Sequence, residues 1–64
     1  MKFFVIFQYD AFGAPMELEK FDAYRDALGR FMCVKEFFPD RSIFIVEVCR
    51  DFAKVVASHR SNQL

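Results

Sequence analysis

Two segments of this chain are apolar on both of the faces that a β-strand presents. Residues 2–9, Lys-Phe-Phe-Val-Ile-Phe-Gln-Tyr, and residues 42–50, Ser-Ile-Phe-Ile-Val-Glu-Val-Cys-Arg, are dominated by aromatic and β-branched side chains. Their lengths suit strands rather than helices. Successive side chains of a strand point to opposite sides. On the first segment Phe3, Val5, Phe7 and Tyr9 therefore oppose Phe4, Ile6 and Gln8; on the second, Phe44, Val46 and Val48 oppose Ile43, Ile45, Glu47 and Cys49. A strand with two apolar faces calls for cover on both, and that demand restricts the fold more than any other feature.

The stretches between these segments supply one further strand and one helix. Residues 10–15, Asp-Ala-Phe-Gly-Ala-Pro, carry turn chemistry: an Asp that accepts backbone N–H groups, a Gly for positive φ, and a Pro suited to a strand start or edge. Residues 16–21, Met-Glu-Leu-Glu-Lys-Phe, alternate and predict a strand that closes a hairpin with the first. Asp22 is placed to cap a helix, with Asp26 near its positive end. Tyr24, Ala27, Leu28, Phe31, Val34, Lys35 and Phe38 recur at spacings of three and four, and Pro39 ends the helix. Gly29 interrupts it, which points to close passage of a strand. After residue 50 two readings stand: Asp51 capping a short helix with Phe52, Val55, Val56 and His59 on one side, or a fourth strand over residues 54–58. Residues 61–64 are expected to fray. The fold class is α+β: one domain over residues 1–64, a small single-layer antiparallel sheet of ββαβ order with one helix packed on one face.

One helix cannot satisfy such a sheet. About 16 helical residues span about 24 Å at a width of about 10 Å, close to the footprint of three strands of about seven residues spaced about 4.8 Å apart. One face stays bare. Phe3, Val5, Phe7, Tyr9, Phe44, Val46 and Val48, with Met16 and Leu18, form the longer unbroken apolar pattern and are assigned to the helix side. Phe4, Ile6, Ile43 and Ile45 then face away, ringed by Gln8, Glu17, Glu19 and Glu47, and an apolar patch with a polar rim is the anatomy of an interface. The rival account has the C-terminal segment fold over that patch.

Composition excludes several classes of function. Nine basic residues balance nine acidic ones, and the pI lies near 6.5, so no global field draws the chain to nucleic acid or to an anionic membrane. Residues 3–7 are too short for a secretory core segment, and no run approaches the roughly 20 apolar residues of a membrane helix; the chain reads as cytoplasmic. Cys33 and Cys49 form neither a Cys-x-x-Cys motif nor a secreted disulfide framework, and are read as free, buried thiols. His59 is the only histidine, too few for a metal site of familiar spacing, and neither cysteine sits in the context of a cysteine–histidine nucleophile. Glycine-rich phosphate loops are absent. Glu17, Glu19 and Glu47 pair as carboxylates, but on a solvated strand face rather than in two contrasting environments. Ten Phe and two Tyr bring to mind aromatic base-stacking sheets, yet those interleave basic residues among the rings, and these strands are acidic or neutral apart from Lys2, Lys20 and Arg50.

The chain therefore reads as a non-enzymatic protein–protein interaction module without cofactor or metal. It would dock a sheet face or edge, through Phe4, Ile6, Ile43, Ile45, Glu17, Glu19 and Glu47, on a protein partner or on a second copy of itself. In size and layout it is similar to small phage or mobile-element inhibitors of host protein complexes, which is an analogy of form. The alternative is a nucleic-acid-associated accessory protein using Arg25, Arg30, Lys35, His59 and Arg60.

Overall fold

The computed structural model describes residues 1–61, so all of the frayed tail expected at residues 61–64 except Ser61 lies outside the described residues. The elements are β1 (Phe3–Tyr9), β2 (Glu19–Phe21), α1 (Tyr24–Phe37), β3 (Ser42–Val48) and β4 (Ala53–His59). They form a four-stranded antiparallel sheet of order β2-β1-β3-β4 with one helix, the α+β class expected. β1 is central and pairs along its length with β3, Phe3 opposite Val48 and Tyr9 opposite Ser42.

The hairpin between β1 and β2 forms, but β2 is shorter than the alternation of residues 16–21 predicted. Pro15 makes an isolated bridge to Tyr9, and the Met16 N–H donates to the Gln8 carbonyl; proline has no N–H to extend that ladder, and regular pairing resumes only at Glu19. The turn itself is held by Asp10, whose Oδ1 accepts from the N–H groups of Phe12 (2.8 Å) and Ala14 (2.9 Å). Gly13 sits at φ 85°, the left-handed region that glycine enters without penalty.

The helix departs from expectation at its start. Its N-cap is Ala23 rather than Asp22, and no side chain caps it; the N–H groups of Asp26 and Ala27 both donate to the Ala23 carbonyl. Its end is as predicted, with the Phe38 N–H closing on the Val34 carbonyl just before Pro39. Gly29 does not mark a passing strand: a Cβ built there meets nothing within 4 Å.

The C-terminal segment is a strand. The Cys49 N–H donates to the Phe52 carbonyl to close a tight connection containing Asp51, and β4 then pairs with β3. A bulge interrupts this ladder: Val46 faces Val55 whereas Ile45 faces Ala57, leaving Val56 as the extra residue. The segment thus widens the sheet by one strand at the β3 edge and forms no layer over either face.

The core lies opposite to the side read from the sequence. Ile6, Ile43 and Ile45 are 0 % exposed and pack, with Phe4, against Ala27, Phe31 and Val34 of α1. The outward placement of Phe4, Ile6, Ile43 and Ile45 is therefore corrected: they face the helix. The misleading features were the two polar residues that break this set, and each proves to sit at an end of the face with a partner. Gln8, 8 % exposed, accepts from Arg41 Nη1 at 3.1 Å, and Glu47 at the far end lies 3.7 Å from Lys2 Nζ. Hydrogen bonding removes most of the penalty of placing Gln8 in the core.

Candidate interaction surface

With α1 on the Ile6 side, no element among the described residues forms a layer over the other face of the sheet. Alternation and register place Phe3, Val5, Phe7 and Tyr9 of β1, Phe44, Val46 and Val48 of β3, and Ala53, Val55 and Ser58 of β4 on this open side. The β1 and β3 residues are partly buried and Val55 is 58 % exposed. Tyr9 and Phe44 meet edge to face, ring centroids 6.0 Å apart at 74°, the arrangement their quadrupoles favour. Beside them lies a shallow hollow of about 250 Å³ lined by Phe7, Tyr9, Phe44, Val46 and Val55. Among these strands only Lys20 brings a charge to this side, and its Nζ stands 4.5 Å from the Phe3 ring centroid at the β2 edge.

The helix side carries the charges. A cleft of about 350 Å³ between β2, α1 and the chain after the helix holds Glu17, Glu19, Arg30 and Arg41. Arg30 Nε donates to Glu19 and lies 3.0 Å from Oε1; the Arg41 guanidinium lies over the Phe38 ring at 3.8 Å and donates to Gln8. The cleft's arginines are thus already engaged within the chain. A third hollow, of about 430 Å³, adjoins Met1, Lys2, Cys49 and Phe52.

Glu17, Glu19 and Glu47 do not ring the open face as expected: the first two border the arginine cleft and Glu47 joins Lys2 at the opposite end. The thiols are free, but they are less buried than predicted: Cys33 is exposed and Cys49 intermediate. The Cys49 thiol donates to Glu47 Oε2 at 3.3 Å; partial burial first, and then this bond and the carboxylate charge, push its pKa up and leave it a weak nucleophile at neutral pH. His59 Nε2 donates to the Pro39 carbonyl at 3.2 Å. Among the described residues no group of three or more His, Cys, Asp or Glu side chains is placed to hold a metal ion, and no helix is long and apolar enough to cross a membrane.

No protein-family model matches the chain, and no curated protein or solved structure matches it.

Of the residues that matter here, Phe3, Val5, Phe7, Tyr9, Phe44 and Val46 belong to the set that pattern length assigns to the helix side, while Val55 lies in the C-terminal segment that the sequence leaves open between helix and strand. Residue type held the better signal: isoleucine is more often fully buried than tyrosine, and the Ile6, Ile43, Ile45 set is the buried one. What such an apolar face can do chemically is exclude water together with another apolar surface laid against it.

Proposed function

We propose that this chain is a non-enzymatic protein-binding module that works through the open face of its sheet. The observation that carries the reading is the continuous layer of Phe, Tyr and Val side chains across β1, β3 and β4, with a single lysine at its rim. Monomeric proteins seldom leave contiguous apolar patches beyond a few hundred Å² uncovered unless the patch is functional. Aromatic residues are also the side chains most enriched at the centres of interfaces. The partner that suits such a face is an apolar, weakly charged protein surface. Nucleic acid suits it poorly, since stacking platforms combine rings with a basic groove and Arg30, one of the basic residues that such a role would use, is paired with Glu19.

A photo-crosslinking residue placed at Val46 on the open face, and separately at Lys35 on the exposed side of α1, tests this in extract of the cell that makes the protein. The expected result is a protein adduct from position 46, weak or absent from position 35, that survives nuclease and persists between about 50 and 200 mM salt, a range over which phosphate-dominated binding weakens by orders of magnitude. Adducts only to nucleic acid, or equal yields from the two positions, overturn the proposal.

A further inference from the structure

We infer that the occupant of the open face is a second copy of this chain, docked sheet to sheet so that two four-stranded layers lie inside and two α1 helices outside. This names the partner of the surface proposed above and rests on that proposal.

Charge is the first argument. A two-fold axis sets each patch against itself, so any charge within it meets its like. Here the strands bring only Lys20, on the edge strand β2 with its ammonium 4.5 Å from the Phe3 ring centroid, so the one strand charge stands at the β2 border of the patch. The formal net charge of the chain is zero, and no long-range repulsion opposes the encounter. The charges that would resist self-apposition, those of the arginine cleft and the outer side of α1, lie on the opposite side of the sheet.

Area and shape agree. Strands about 4.8 Å apart, with seven residues rising about 3.3 Å each, give a face on the order of 400 Å² in flat projection. Once side-chain relief is counted, two copies withdraw on the order of 1,000 Å² from water, where specific interfaces begin. Aligned sheets pack about 10 Å apart with side chains interdigitated, and this face offers the exposed Val55 side chain bordering the hollow beside Tyr9 and Phe44. The sheet's edges fit a second copy less well. β2 has only three residues, and β4 carries a bulge and Lys54, features that discourage in-plane pairing. Doubling also relieves the small-domain problem: a body of about 130 residues buries a larger share of its surface than one of about 60.

Sedimentation equilibrium on the wild-type chain and on Val46→Glu, with the wild-type thermal midpoint followed over a wide concentration range, decides the matter. The expected result is a wild-type mass twice the 7.6 kDa of one chain and a midpoint that rises with concentration. Val46→Glu is expected to keep its far-UV circular dichroism while its dissociation constant rises about 100-fold or more. Should that variant fail to fold, Phe7→Gln on the same face is read in the same way, and the concentration dependence of the wild-type midpoint stands by itself. A wild-type chain of single mass with a concentration-independent midpoint overturns self-pairing, and so does a dimer that both variants leave intact. If a single-mass chain still gives protein adducts from position 46, the binding-module proposal stands without self-pairing; if it gives none, both fall.

Discussion

Gly29 and Gly13 are the chain's two glycines, and the same substitution at each should have opposite effects. Gly29 is exposed in the middle of α1, with open space where a Cβ would go, so it contributes only chain entropy to the unfolded state. Gly29→Ala is expected to stabilise by about 0.5–1 kcal/mol, or about 2–8 °C in thermal midpoint for a domain of this size. Gly13 also has space, but its φ of 85° is a conformation that side chains with a Cβ resist. Gly13→Ala should cost about 1 kcal/mol or more. Thermal denaturation at one fixed protein concentration checks both, and a shift of equal sign would show that the backbone of one of the two sites is misassigned.

Two aspartates with similar credentials in the sequence part company at the scale of elements. Asp10 holds the turn after β1 through two backbone N–H groups, whereas α1 starts after Ala23 without any side-chain cap. Asp10→Ala should therefore cost about 1 kcal/mol, while Asp22→Ala stays within about 0.5 kcal/mol, the usual range for surface positions; denaturant midpoints of the two variants separate these outcomes. The contrast shows what local pattern can convey. β1, β3 and the body and end of α1 were legible because their signals, a two-residue period, a three-to-four-residue period and Pro39, act within a few residues. The identity of the C-terminal segment was not, since residues 52–59 carry apolar groups at spacings that satisfy either helix or strand. What selects the strand is the exposed edge of β3, which offers β4 a hydrogen-bonded partner, a condition that exists only once the sheet has assembled. The choice of which face the helix covers was hidden for the same reason: Gln8 and Glu47 look like surface residues until Arg41 and Lys2 come within reach of them.

For the molecule as a whole, seven buried apolar side chains among the described residues make up the core, which leaves little reserve against a misplaced charge. Ile45→Glu sets a carboxylate in a core whose other members are all apolar, and should cost several kcal/mol, comparable to the entire stability expected of so short a chain. Its far-UV spectrum and chemical-shift dispersion should be those of an unfolded chain, while the neighbouring Val46→Glu stays folded. A folded Ile45→Glu would mean that the faces are inverted. Placing the first strand at the centre of the sheet has a consequence in time as well as in space. β1 lies between β2 and β3, so its second ladder waits until synthesis has reached Val48, about 40 residues beyond Tyr9, or about 2–8 s at common translation rates. Through that interval residues 3–7, Phe-Phe-Val-Ile-Phe, are an uncharged, proline-free run with one side unpaired, the composition that favours intermolecular β-association. Slowing synthesis without holding the nascent chain lengthens that exposed phase and is expected to lower the yield of native protein.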